Sequence, residues 1–207
     1  MSEIRVAKAT ILFTQDLRGD LNFVPKLGRV LWRLRAEDQN NVTVDLGAAC
    51  DRSVWHCDAT DGRSMLIALD GMNYAAANTE GLEENVRPHL SRALVGLRAV
   101  DRKYPAKLGP FQMVTHLPPE GFPGASLVLV LAPQDHARVE ANAVFFPRVP
   151  RYAIGRIRVA LLPKVEIVSV ETLPVPPDTP PDPTLSAMVG FIESEARQYA
   201  EKRKRPI

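Results

Sequence analysis

Apolar runs alternate with amphipathic stretches along the first part of the chain. Residues 9–14 and 41–45 are rich in β-branched and apolar side chains, which favours two strands. The first run leads into a carboxylate and a glycine turn at residues 16–20. Between the runs, residues 26–36 are predicted to form a helix, because their apolar residues recur at the spacing of one helix face: Leu27, Val30, Leu31 and Leu34. The order predicts a βαβ unit.

The arginines of this predicted helix, Arg29, Arg33 and Arg35, fall on its other face, and we expect them to be solvated. Further along, the pattern predicts a helix at residues 64–69, a third strand at 74–77 and a longer helix over 83–100. The first half of the sequence therefore predicts successive strand–turn–helix units.

The second half of the sequence changes character. Residues 105–123 are rich in proline and are predicted to be a connection, with His116 at the surface. Residues 125–132 form a continuous apolar run, typical of a strand buried on both faces. Residues 154–162 and 165–173 alternate in polarity, which predicts an antiparallel hairpin. We therefore expect one α/β domain over residues 1–175.

Residues 176–207 are predicted to be a proline-rich connection followed by a helix, which packs on the domain or extends from it. The apolar residues of that helix recur at helical spacing: Leu185, Met188, Val189, Ile192 and Ala196.

Composition narrows the classes of function. The 207 residues carry a formal net charge of only +2, so no global field favours binding to nucleic acid or to a membrane surface. The N-terminal apolar run is too short for a signal peptide, and we expect a cytoplasmic protein. The two cysteines, Cys50 and Cys57, lack the paired spacing of a zinc ribbon, so a structural or incidental role is expected.

Three predicted strands end in short motifs: Asp16-Leu17-Arg18, Gly47-Ala48 and Asn78-Thr79-Glu80. Their order resembles the calcineurin-like metallophosphoesterases of the 5'-nucleotidase branch, whose strands close with Asp-x-His, Gly-Asp and Gly-Asn-His-Asp/Glu. The resemblance implies a layered α/β/β/α sandwich, here shortened.

The resemblance also implies a pair of metal ions at these motifs, but most of the ligand types are replaced here. Arg18 and Thr79 stand in the places of histidines, and Ala48 in the place of the bridging carboxylate. An alanine methyl cannot bind a metal ion, and a guanidinium repels one. We therefore expect no metal cofactor.

The candidate residues fall into two groups. Asp16, Arg18 and Asn78 form the expected remnant site. Asp45, Glu80 and His136 are weaker candidates: Asp45 lies inside its strand and is expected to be structural, and His136 is the one histidine left where the family has Gly-His-x-His. Arg18 is expected to pair with Asp16 or Glu80, because an unpaired buried carboxylate is costly.

Three functions remain open. The first is a non-catalytic relative that binds a small anion such as phosphate at Arg18, or a protein partner. The second is a metal-dependent phosphoesterase with a rearranged ligand set drawn from Asp16, Asp45, Asp51, Glu80 or His136. The third is a subunit of a larger assembly, which the proline-rich connections favour.

Overall fold

Two β-sheets organise the computed structural model, which describes residues 8–118, 121–122 and 125–204. Numbered in chain order and given in spatial order, the larger sheet contains β11 (Glu166–Pro174), β10 (Ala153–Ala160), β1 (Lys8–Thr14), β2 (Asn41–Asp45), β3 (Ala76–Asn78) and β4 (Arg98–Val100). The smaller sheet contains β5 (Ala106–Leu108), β6 (Phe111–Val114), β7 (Leu127–Gln134), β9 (Ala143–Pro147) and β8 (Arg138–Glu140).

The strands from β1 to β4 are mutually parallel, so their carboxyl ends share one edge of the sheet. Thr14 pairs with Asp45, and Asp45 pairs with Ala77, which fixes the register at that edge. On the other side of β1 the sheet continues with β10 and β11 as an antiparallel hairpin, as the alternating pattern predicts.

Five helices occur in the described residues: α1 (Val24–Glu37), α2 (Trp55–Ala59), α3 (Arg63–Gly71), α4 (Arg87–Ala93) and α5 (Pro183–Lys204). All five contribute to one hydrophobic cluster with the outward-facing residues of the larger sheet, such as Leu12 and Ala77. The terminal helix α5 packs into this cluster through Leu185, Val189 and Ile192. The helix α5 is therefore docked on the rest of the fold.

A second cluster lies between the two sheets, where the rings of Phe13 and Phe146 are 5.1 Å apart. A third covers the outer face of the smaller sheet, where Leu117 and Phe122 pack on Val128 and Phe145. The layered sandwich is confirmed. On the outer face of the smaller sheet, the described residues of the β6–β7 connection lie where the α/β/β/α order implied by the resemblance places helices.

Two predicted segments are corrected. The helix predicted over residues 83–100 is confined to α4, preceded by a single 3-10 turn and followed by β4. The carboxylate of Asp70 explains its early end, since it accepts hydrogen bonds from the backbone amides of Val95, Gly96 and Leu97. The connection predicted at 105–123 contains β5 and β6, although four of the residues 115–124 (119, 120, 123 and 124) lie outside the described residues.

The expectation of solvated arginines on α1 holds for Arg29 and Arg33, which are exposed, and is wrong for Arg35. Its guanidinium donates hydrogen bonds to the Thr43 hydroxyl and to the carbonyl of Met72, at 3.0 and 2.6 Å. Burial lowers the pKa of Arg35. The helix pattern could not show this, because the acceptors come from other elements.

Two terminal segments lie outside the description. Residues 1–7, on which the expected cytoplasmic location partly rests, and residues 205–207 are not described. Among the helices that are described, none combines the length and the apolar character needed to cross a membrane.

Candidate functional site

The loop after β1 adopts a backbone conformation that side chains disfavour. Asp16 and Arg18 have φ of 61° and 49°, in the left-handed region, and Gly19 follows at 78°. Such a conformation costs a non-glycine residue about 1 kcal/mol. Hydrogen bonds to the loop after β2 hold it: the amides of Asp16 and Arg18 donate to the carbonyls of Gly47 and Ala48, each at 3.0 Å. The two loops therefore form one rigid unit.

Asp16 and Arg18 form an ion pair at this edge. Arg18 Nε donates to Asp16 Oδ1 at 2.6 Å, and the side chains are 54% and 29% exposed. The hydrogen bond and then the charge of Asp16 raise the pKa of Arg18. The expected internal pairing of Arg18 is confirmed, with Asp16 as the partner.

Ala48, in the loop after β2, also has a positive φ of 55° and follows Gly47 at 115°. An added side chain at Gly47 would lie 3.3 Å from the amide nitrogen of Asn78, so the loop passes directly over the end of β3. The structure thus brings Asp16, Ala48 and Asn78 to neighbouring strand ends.

Asn78 fastens the loops to the second sheet. Its side-chain amide donates to the carbonyls of Leu46 and Leu131, at 3.2 and 2.7 Å, and its oxygen accepts a hydrogen bond from the amide of Glu80. Thr79 is buried and its hydroxyl donates to the carbonyl of Val100. Both side chains therefore form hydrogen bonds with backbone groups.

The weaker candidate Asp45 does not join this group. Asp45 is fully buried, where it accepts hydrogen bonds from the Thr14 hydroxyl at 2.8 Å and the Gly47 amide at 2.9 Å. Burial raises its pKa to about 7, with the two hydrogen bonds opposing the shift. Asp45 thus points into the fold, as a structural residue would.

Glu80 and His136 lie at the surface. Glu80 accepts a hydrogen bond from the Thr115 hydroxyl at 3.4 Å and lines the same cavity as Ala48. His136 is exposed in the turn after β7 and does not line that cavity. Asp51 is partly exposed, and hydrogen bonds from Ser53 lower its pKa.

A cavity of about 140 Å³ opens beside these strand ends. Its lining includes Ala48, Asn78, Thr79 and Glu80 together with Arg52 and Asp61. The charges in that lining are mixed, so the cavity itself has no strong preference for anions or cations.

Sequence reasoning missed a disulfide at this cavity. Cys50 and Cys57 are bonded, with their Cα atoms 5.7 Å apart. Cys57 is buried against the first loop, since an added side chain at Gly19 would lie 2.8 Å from its sulfur. The ring of His56 also reaches that loop, at 2.8 Å from the Gly19 carbonyl. The separation of seven residues was the only available signal, and it permits pairing without requiring it.

The metal pair implied by the resemblance does not fit these side chains. The described residues contain no group of three or more histidine, cysteine, aspartate or glutamate side chains able to hold an ion. Asp16 is bonded to a guanidinium, the oxygen of Asn78 is bonded to an amide, and Ala48 offers no donor. A cation brought here would meet a fixed positive charge.

Solved structures share this architecture. The calcineurin-like phosphoesterase YfkN from Bacillus subtilis superposes with a TM-score of 0.62 over 94% of this chain and 99% of its own, at 8% identity. A 5'-nucleotidase precursor from Thermus thermophilus superposes with a TM-score of 0.63 over 95% of this chain, at 11% identity. This chain has the calcineurin-like phosphoesterase fold. The predicted resemblance is confirmed at the level of the fold.

The NAD nucleotidase of Haemophilus influenzae superposes with a TM-score of 0.59 over 93% of this chain, at 7% identity. Our chain covers 59% of the Thermus protein and 60% of the Haemophilus protein, so it spans about three fifths of these two nucleotidases. No protein-family model and no curated protein matches the sequence.

Proposed function

We propose that this protein is a binding protein with a calcineurin-like phosphoesterase fold that does not hydrolyse phosphate esters. The ion pair between Arg18 and Asp16, at 2.6 Å, carries the proposal. Hydrolysis by two metal ions needs them about 3.5 to 4 Å apart, with carboxylate and imidazole ligands around both. A guanidinium bonded to the first carboxylate takes the place of that arrangement.

A small anion such as phosphate is the ligand that the pair favours. Asp16 holds Arg18 through Nε alone, and the contacts of the described residues leave its two terminal nitrogens unbonded. A guanidinium presents these nitrogens as a fork that matches a phosphate or carboxylate. Because Asp16 fixes the orientation of the fork, less side-chain entropy is lost when an anion binds.

Calorimetric titration with inorganic phosphate tests the binding step. We expect saturable binding to the wild-type protein, a loss of about tenfold or more in Arg18→Gln, and no change in the control Arg29→Gln on the exposed face of α1. Equal phosphate affinity in wild type and Arg18→Gln would overturn the anion site.

A stepwise reconstruction tests the lack of a metal site. We expect no tight binding of manganese or zinc by the wild-type protein or by Arg18→His, since Ala48 still offers no bridging ligand. Binding is expected to improve only after Ala48→Asp and then Thr79→His are added. Two equivalents of metal bound to the unmodified protein, with phosphodiester turnover lost in Asp16→Ala, would instead support an esterase with rearranged ligands.

A further inference from the structure

A second cavity lies away from the strand ends, where the edge strands of the two sheets approach each other. It has a volume of about 380 Å³ and extends between β4 and β5 beneath α4. This β4–β5 cavity is lined by Arg87, Leu90, Leu97, Arg98, Tyr104 and Lys107, among others. Its volume falls within the range of about 300 to 1,000 Å³ that small-molecule sites occupy.

The floor of the β4–β5 cavity is apolar. Leu90 and Leu97 are each 3% exposed and belong to the cluster that α4 forms with the larger sheet. Leu94 packs beside them, also in the lining. An aromatic ring or a short aliphatic chain could displace water from this floor with a gain in free energy.

One wall of the β4–β5 cavity is fixed in place. The ring of Tyr104 is 44% exposed and lies 4.1 Å from the guanidinium carbon of Arg87. Arg87 is bonded to Asp101 and donates to the Ala99 carbonyl at 3.2 Å. Asp101 also accepts hydrogen bonds from the amides of Lys103 and Tyr104, which holds the turn that carries the tyrosine. The aromatic wall therefore needs little ordering when a ligand binds.

The rim is basic. Arg98 and Lys107 are exposed, and no carboxylate of the described residues forms an ion pair with either of them. The lining contains no acidic residue. A neighbouring cavity of about 270 Å³, reached past Arg87 and Tyr104, has four carboxylates in its lining, Glu80, Glu83, Glu84 and Asp101, against three basic side chains, Arg87, Arg102 and Lys103. Charge thus distinguishes the two cavities, and only the β4–β5 cavity favours an anion.

We infer that the β4–β5 cavity is a binding site for a small amphipathic anion, in which an apolar ring or short chain packs on the leucine floor against Tyr104 while Arg98 and Lys107 bind its carboxylate or phosphate. The site is separate from the strand-end site at Arg18, and it does not depend on the function proposed there. It combines the three features that small-molecule sites share: an apolar floor, a fixed aromatic wall and a few convergent polar groups.

Three matched ligands test the inference by calorimetry: 2-naphthoate, 2-naphthyl phosphate and the neutral 2-naphthalenemethanol. We expect saturable binding of at least one anion with a Kd of about 1 mM or tighter, and at least tenfold weaker binding of the neutral compound. The anion that binds more tightly shows whether the site prefers a carboxylate or a phosphate. If neither anion binds saturably, the inference is wrong.

Variants locate the site. The double variant Arg98→Gln with Lys107→Gln is expected to bind the anion at least tenfold more weakly than the wild type. The control Arg29→Gln with Arg33→Gln removes the same charge from α1 and is expected to leave the affinity unchanged. Thermal unfolding of each variant confirms that it is folded. Wild-type affinity in the Arg98/Lys107 double variant would overturn the inference.

Arg18→Gln separates this site from the strand-end site. We expect naphthyl anion binding to be unchanged in that variant. A loss of binding in Arg18→Gln would overturn the β4–β5 site and place the naphthyl anions at Arg18, whereas a failure of phosphate to bind at Arg18 would leave the β4–β5 result standing.

Discussion

At the scale of single residues, the same side-chain type serves different purposes at neighbouring positions. Asp16 is partly exposed and orients a guanidinium, whereas Asp45 is buried and accepts hydrogen bonds from Thr14 and Gly47. The hydroxyl of Thr14 also lies 3.1 Å from that of Tyr74, so a chain of buried polar groups runs inward from the strand end. Desolvation is the largest influence on Asp45 and raises its pKa from 3.8 to about 7.

That pKa predicts a pH-dependent stability. Between about pH 4 and pH 7 the folded protein retains a proton on Asp45 that the unfolded chain has released. The free energy of unfolding therefore falls as pH rises through this window. In the variant Asp45→Asn, the side-chain amide keeps an acceptor for the Gly47 amide and gains a donor for the Thr14 hydroxyl. Because the new side chain does not ionise, the fall in the free energy of unfolding with pH is removed. We expect the free energy of unfolding of the variant to match that of the wild type near pH 4 and to exceed it by roughly 2 to 4 kcal/mol at pH 8.

Urea unfolding at pH 4, 6 and 8 measures the effect. Asp51→Asn is the matched control: hydrogen bonds from Ser53 lower the pKa of Asp51, so its contribution is lost only as pH falls. If the free energies of unfolding of Asp45→Asn and the wild type differed by the same amount at all three pH values, the prediction would be contradicted.

At the scale of elements, hydrophobic periodicity located β1, α1 and β2 well, because each element buries one face or both faces in the two hydrophobic clusters on either side of the larger sheet. It failed where a distant side chain decides the conformation. The carboxylate of Asp70 holds the amides of residues 95–97 and ends α4, and hydrogen bonds to Thr43 and Met72 hold Arg35 in a half-buried position. The strand-end motifs placed Asp16, Ala48 and Asn78 together, but no local pattern indicated the β4–β5 cavity, whose lining comes from three elements and their connections.

The disulfide between Cys50 and Cys57 joins the second strand-end loop to α2. Closing so short a loop restricts the unfolded chain and is worth about 2 to 3 kcal/mol. We expect Cys50→Ala with Cys57→Ala, or reduction of the wild type, to lower the free energy of unfolding by that amount and to make the loop around residue 52 more sensitive to protease.

Alkylation of free thiols in intact cells, followed by mass spectrometry, tests whether this bond forms where the protein resides. Disulfides persist in oxidising compartments and are rare in the cytoplasm. The expected cytoplasmic location stays a prediction, and a fully oxidised cysteine pair in cells would contradict it.

At the scale of the whole molecule, α5 joins elements from the first third of the chain. Gly28 and Gly71 make room for it: an added side chain at Gly28 would lie 2.0 Å from Leu185, and one at Gly71 would lie 2.2 Å from Met188. The terminal helix therefore fits directly against α1 and α3.

Removal of residues 176–207 is expected to abolish cooperative unfolding, because it exposes the face of Leu27, Leu69 and Met72 to water. Differential scanning calorimetry of the chain ending at residue 175 measures this. Gly190→Ala in the full chain is the control, since an added side chain there meets no other atom within 4 Å. A sharp, wild-type-like transition in the shortened chain would show that it folds without α5.

The position of β10 beside β1 has a consequence for synthesis. β1 is the first described strand and is almost entirely buried, yet its antiparallel neighbour β10 begins only at Ala153. While the ribosome makes the intervening residues, β1 can pair with β2 on one side and keeps an open apolar edge on the other. Open edges of this kind recruit strands from other chains. We therefore expect the nascent chain to be prone to aggregation until β10 has emerged and covers this edge.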